Sequence, residues 1–177
     1  MHAWRACVFW SSILLATCLA HLAVADDSNY MTISSPDFAQ GQPMPKDSAK
    51  SGGNHSPQLL IGSVPLNAKT LVLIVDDPDS PSGLWTHWLL WNIQPDAAVI
   101  AQGKAPEGAV QGKNSFGNVR YDGPAPPSGT HRYFFHIHAL DSKLYVDKGA
   151  TRGQLEAAMK GHEVGHADFF GTYSASP

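Results

Sequence analysis

Four groups of residues combine types and spacings that chemistry could use. The first is Asp76-Asp77-Pro78-Asp79-Ser80-Pro81. In extended chain Asp77 and Asp79 face the same side, because strand side chains alternate with a period of two. Two ionised carboxylates about 4 Å apart repel by roughly 4 kcal/mol at an effective dielectric near 20. They must share a proton, bind a cation or be held by hydrogen-bond donors. A plain Asp/Pro turn at a strand end is the competing reading. The second group is Trp85-Thr86-His87-Trp88, where Trp85, His87, Leu89 and Trp91 share one face of a strand. A lone histidine among aromatics is more often a core residue giving one ring proton to a carbonyl. The third group, Tyr121 to Tyr133, joins a stiff Gly/Pro loop to a strand that carries His131 and Tyr133 on one face. A glycine-bearing turn lets backbone N–H groups approach an anion, and His and Tyr supply adjustable partners. This composition suggests an oxyanion or phosphate pocket.

The fourth group, His162-Glu163-Val164-Gly165-His166, has the H-E-x-x-H pattern of zinc peptidases. That pattern works on a continuous helix, where both histidines face one way, the glutamate activates water and a third ligand completes the site. Gly161 stands before it, Gly165 lies within it, and Asp168 is the one ligand type that follows closely. A zinc metallohydrolase using His162 and His166 is therefore kept as the alternative to a binding protein. His136 and His138 share a strand face opposite Tyr133 and read as structural histidines. No metal, cofactor or catalytic residue is expected. Neither a G-x-S-x-G elbow nor a phosphate-binding P-loop is present.

The elements that must hold these groups are mostly strands. Thr70 to Val75 is a compact β-branched and leucine run ending at the acidic cluster, and reads as a buried strand. Trp85 to Ile93 and Arg132 to Leu140 are apolar and aromatic, suiting long central strands. Ser35 to Pro57 and Gly103 to Gly129 read as loops, with a turn at Gly52-Gly53-Asn54. One helix starts at Thr151, where Thr151 and Gln154 make a capping box, and Gly161 ends it. The fold class is mainly β: packed β-sheets with a few peripheral helices.

Residues 1–25 carry one charge at Arg5, an apolar run from Ala6 to Leu22 and a small-x-small end at Ala23-Val24-Ala25, the pattern of a secretory signal peptide cleaved before Asp26. A lipoprotein signal ending at Cys18 is the rival, but Thr17 is a poor residue before a lipidated cysteine. Cleavage leaves residues 26–177 as a single domain with no integral membrane segment. Both cysteines, Cys7 and Cys18, leave with the leader, so the exported domain relies on packing without a disulfide. Loss of Arg5 moves the net charge from −3 to −4, and no basic run exists, which argues against nucleic acid as a partner. The destination is the periplasm in a Gram-negative cell and the medium otherwise.

The order and spacing of Asp77-Pro78-Asp79-Ser80-Pro81, Trp85-x-His87-Trp88 and Gly123-Pro124-x-Pro126-Pro127-x-Gly129-x-His131-Arg132-Tyr133 resemble the two signature blocks of phosphatidylethanolamine-binding proteins. The resemblance extends from Ser56-Pro57-Gln58-Leu59 to Gly171-Thr172-Tyr173, nearly the whole exported chain. Its compact loop and export signal are similar to the bacterial, Raf kinase inhibitor-like branch. The resemblance implies a central antiparallel sheet packed on a second, smaller sheet with peripheral helices. It also implies a pocket of Asp77, Asp79, His87, Gly123, Ala125, His131 and Tyr133 that takes a phosphate- or carboxylate-bearing small ligand, such as a phospholipid headgroup. A protein partner, inhibited or modulated, is the other implied role. Ala125 and Asn118-Val119-Arg120 depart from the family pattern. For an anion to enter, Asp77 or Asp79 is expected to be protonated or to orient His87, while neutral donors meet the ligand.

Overall fold

The computed structural model of the chain describes Met1 and residues 30–175, so the leader expected over residues 1–25 lies outside the described residues apart from Met1. The strands are β1 (Thr32–Ser34), β2 (Leu59–Gly62), β3 (Thr70–Asp77), β4 (Trp85–Ile93), β5 (Val99–Ile100), β6 (Val110–Gln111), β7 (Thr130–Leu140) and β8 (Glu163–Ser174). Helix α1 (Arg152–Met159) sits between β7 and β8 in the chain. One sheet has the order β1-β2-β5 and the other β6-β4-β3-β7-β8, with antiparallel pairing throughout. The chain is thus mainly β, with a large antiparallel sheet, a small one and few helices, as expected. No helix among the described residues is long and apolar enough to cross a membrane.

β3 is the middle strand of the large sheet, and each of its residues is buried. A strand covered on both faces reads as an unbroken apolar run, which is what Leu71 to Val75 supplies. Toward the small sheet, Leu71, Leu73 and Val75 pack with Trp88, Phe135 and Ile137 against Ile33, Leu59, Ile61 and Ile100. On the other face, Val72, Ile74, Leu89 and Trp91 pack against Leu155 and Met159 of α1 and against Leu144. Each such side chain stabilises by about 1.5–3 kcal/mol on burial. Residues 30–175 contain no cysteine, so this packing holds the sheets together without a disulfide.

The acidic cluster is not wholly a turn. β3 continues through Asp76 and Asp77, and alternation sends their side chains to opposite faces. Asp76, on the helix side, is bonded by Arg152 of α1 and accepts from Thr86 Oγ1 at 3.0 Å, with His136 Nε2 at 3.8 Å. α1 begins where the sequence places it, with the Thr151–Gln154 capping box formed and Gly161 at φ 84° just beyond its end. The 12-residue strand β8 was not apparent in the sequence. Its interspersed glycines, charges and aromatics hide the alternation, and part of its outer edge is covered by residues 41–44, whose backbone bonds Phe170 and Thr172.

Because Asp76 is almost fully buried, its stability depends on the helix cation. Replacing Arg152 with Met should cost about 2–3 kcal/mol, toward the low side for a broken buried pair since Thr86 still donates. Urea unfolding measures it. A change below about 0.5 kcal/mol would show that Asp76 is satisfied without α1.

Candidate functional site

A cavity of about 220 Å³ opens where β3, β4 and β7 meet the loops that follow β3 and precede β7. Asp77, His87, His131 and Ala125 line it, together with Ser80, Pro81 and Ser82 and with Trp85, Phe116 and Pro127.

His87 reaches it through an irregularity in β4. Val75 pairs with Trp88 and the next residue, Asp76, pairs with Thr86, so His87 is an extra residue between them. Such a bulge re-aims a side chain. Thr86 stays on the helix side with Asp76, whereas His87 joins Tyr133, its ring centre 5.2 Å away and nearly perpendicular. This corrects the expected face: Leu89 and Trp91 lie in the opposite core, and of the three residues expected beside His87 Trp85 alone shares the cavity with it.

His87 Nδ1 lies 2.6 Å from the Asp122 carbonyl. A carbonyl only accepts, so Nδ1 carries the proton and Nε2 of the neutral ring is a free acceptor. Burial pushes the ring's pKa below its ordinary 6.5, more than the Asp122 carbonyl and the nearby carboxylates raise it. Asp122 is itself fully buried and accepts from Asn118 at 2.7 Å, Asn114 at 2.8 Å and Asn54 at 3.3 Å. Burial alone would raise its pKa, but those amides and the Arg120 charge hold the carboxyl below its usual range. His87 is therefore oriented by the Asp122 main chain, and neither Asp77 nor Asp79 does so.

Asp77 and Asp79 do not act as a pair. Asp77 Oδ2 is 2.7 Å from His131 Nδ1, and its Oδ1 accepts the Asp79 N–H at 2.8 Å. Both oxygens are thus engaged within the protein. Asp79 turns to Arg132, which bonds it through Nε at 2.9 Å, Nη2 at 2.6 Å and its backbone N–H at 2.9 Å. Those bonds hold the Asp79 carboxyl down to about 2, so it is ionised rather than protonated at neutral pH.

Gly123 also differs from expectation. Its N–H donates to Asn54 Oδ1 at 2.8 Å and so is not offered to the cavity. The glycine is required by packing, since a Cβ would collide with the Ser48 carbonyl. Tyr133 is buried under the cavity beside Asp77 and the Ala125 backbone, but its hydroxyl makes no hydrogen bond of normal geometry. Burial, then the Asp77 charge, raises its pKa, so the hydroxyl keeps its proton. The Trp85 indole N–H is likewise buried and unpartnered. Of these two donors Trp85 belongs to a residue that lines the cavity, whereas Tyr133 does not line it and lies beneath, within reach of the Asp77 carboxylate and the Ala125 backbone.

The phosphatidylethanolamine-binding protein family model matches residues 34–174. The chain belongs to the phosphatidylethanolamine-binding protein family. A UPF0098 protein of Methanothermobacter thermautotrophicus is 47% identical over 127 residues, spanning 69% of this chain and 84% of the relative. The crystal structure of CT736 from Chlamydia trachomatis, a candidate family homologue, superposes with a TM-score of 0.80 at 42% identity, covering 84% of this chain and 99% of that one. LppC of Mycobacterium tuberculosis, named as a lipoprotein candidate, is 39% identical over 145 residues, or 81% of this chain and 72% of the relative.

In this family member the H-E-x-x-H residues are not helical. Glu163 opens strand β8, and His162 lies before it, bonded to Asp141 at 2.8 Å. A strand does not bring residues four apart together as one helical turn does, so the premise of the metallohydrolase reading fails. Sequence reasoning missed Phe116, which lies in a loop without periodicity. The signal that could have found it is Asn114, flanked by Ser115, Gly117 and Asn118 as a turn-forming set. Asn114 Oδ1 accepts the backbone N–H groups of Phe116 and Asn118, each at 3.0 Å, and thereby fixes the ring over the cavity.

The two buried tyrosines give a direct test of this arrangement. Tyr121 donates to the Ser48 carbonyl at 3.0 Å, so Tyr121→Phe should lose about 1–2 kcal/mol in denaturant unfolding. Tyr133→Phe should lose no stability and gain up to about 1–3 kcal/mol, because no hydrogen bond is lost and an unpaired buried hydroxyl is removed. Equal losses would mean that the Tyr133 hydroxyl is bonded in the free protein.

Proposed function

We propose that this protein is an exported binding protein whose cavity takes a phosphate- or carboxylate-bearing ligand, such as a phospholipid headgroup. The observation that carries this reading is the pair of unpartnered buried donors, Trp85 Nε1–H and Tyr133 O–H, beside a carboxylate whose two oxygens are already bonded. A buried donor without a partner costs about 1–3 kcal/mol, and an anionic oxygen is the acceptor that relieves it best. His131 and His87 line the same space, and Ala125 adds only a methyl group to its wall. In this reading Asp77 orients His131, Gly123 and Asp79 shape the loops, and Tyr133 meets the ligand from below. No catalytic step is assigned.

Export rests on the leader pattern of residues 1–25 and is supported by the lipoprotein name of the mycobacterial relative. The exported domain would work in a Gram-negative periplasm or outside the cell, in keeping with the bacterial, Raf kinase inhibitor-like branch. A partner protein presenting a phosphorylated or carboxylate side chain would satisfy the same donors, so modulation of such a partner uses the same cavity.

Proton linkage gives the sign of the pH effect. His87 is neutral at pH 7, its pKa lying below 6.5, and an anion favours its protonated form, in which Nε2 becomes a donor. Affinity should therefore rise as pH falls, with the increase concentrated below 6.5. Acetate titrations followed by backbone NMR at pH 7.5 and 5.5 read this directly, since acetate stays ionised in that range. Tyr133→Phe should weaken binding about tenfold, equivalent to one lost hydrogen bond of about 1.4 kcal/mol. A pH-independent affinity together with wild-type binding by Tyr133→Phe would sink the proposal.

A further inference from the structure

The outer face of β7 and β8 carries a histidine cluster that the anion cavity does not use. His138 and His166 are direct cross-strand partners, with ring centres 6.4 Å apart. Glu163 lies between them: its Oε2 is 2.7 Å from His138 Nδ1 and its Oε1 is 3.1 Å from His166 Nδ1. One carboxylate thus faces two imidazoles.

We infer that His138, His166 and Glu163 bind a divalent late transition metal ion of the zinc and copper class. Neighbouring ligand atoms around a tetrahedral ion with bonds of about 2.0–2.1 Å are separated by rather more than about 3 Å. The two nitrogen–oxygen separations are hydrogen-bond distances, a few tenths of an ångström shorter than between the ligand atoms of a tetrahedral ion, so one ion can replace the shared ring protons only if the cluster opens slightly. Closure is not complete, since no three such side chains among the described residues are gathered in coordinating geometry. His166 has the freedom to complete it, being 62% exposed in its side chain. His138 and Glu163 also line a cavity of about 440 Å³ between the sheet and α1, which leaves room for water to fill the remaining positions. Two imidazoles and one carboxylate suit zinc and copper, whereas magnesium and calcium want oxygen donors.

The other histidines nearby are committed elsewhere. His136 is bonded to Asp168 at 2.7 Å and approaches Asp76, and His162 is bonded to Asp141. The site therefore differs from the H-E-x-x-H arrangement: His138 takes the place of His162, and Glu163 is a ligand rather than a base. It departs from the expectation of no metal and carries no reaction.

The test is calorimetric titration of the untagged protein with ZnCl2 at pH 7.5, with electron paramagnetic resonance of the CuCl2-loaded protein. One ion per chain and nitrogen hyperfine structure from two imidazoles are expected. H138A, H166A and E163Q should each weaken zinc binding by about tenfold or more, with H136A and H162A within about twofold of wild type. Because His166 is exposed, H166A decides the matter even if H138A unfolds. Absence of saturable zinc binding overturns the inference. So does a loss in H162A as large as that in H166A, and so does wild-type affinity in H166A.

Discussion

Two adjacent carboxylates at the end of β3 set where the remaining parts must lie. Asp76 and Asp77 are both buried, and alternation points them to opposite faces of the sheet. An ionised carboxylate without partners in such a place costs several kcal/mol, so each face has to bring its own donors. On one face the donors are Arg152 and Thr86, which fixes α1 against the sheet. On the other they are His131 and the Asp79 N–H, which fixes the start of β7 and the turn after β3. The cavity lies between those last two elements. Its shape is in this sense a consequence of satisfying Asp77.

The second constraint is the extra residue in β4. Without it, His87 would alternate onto the face of Leu89 and Trp91, which packs against α1 and away from the cavity. With it, the ring turns to the cavity, and the main chain of Asp122 holds it there in a clasp, since the Asp122 N–H also donates to the His87 carbonyl at 3.2 Å. The buried Asp122 carboxylate has a scaffold role: it gathers three asparagine side chains and so joins the loops around residues 54, 114 and 118 into one wall.

The central strands were legible because β3 and β4 are buried on both faces and β7 alternates a buried face with a half-exposed one, patterns that local sequence carries by itself. The capping box at Thr151 is local too, and α1 starts where it says. β8 was hidden because its partner is β7 alone and its outer edge is covered by a distant loop, so its half-buried residues need little apolar regularity. Most of the cavity was legible as a set of residue types, and Asp77, His87, Ala125 and His131 do converge. What period two could not supply was the bulge that turns His87, because register against Val75 and Asp76 is a property of two strands. Nor could it supply the division of labour between Asp77 and Asp79. That depends on Arg132, which lies on the outward side of β7 and captures Asp79 before it can reach the cavity.

A chain of net charge −3 with a carboxylate in its cavity is a poor host for an anion by long-range electrostatics. The local arrangement works against that field. Asp77 is bonded on both oxygens, Asp79 is neutralised by Arg132, and Asp122 is turned away into its asparagine cage. The positive charge of Lys50 stands 3.5 Å over the Phe116 ring that lines the cavity. Fixed neutral donors in a low-dielectric wall act at short range and are little screened by salt, whereas the fields of exposed charges fade within about 10 Å at 0.1 M salt. The proposed selectivity therefore comes from donors that touch the ligand, and the overall charge of the chain matters chiefly for approach.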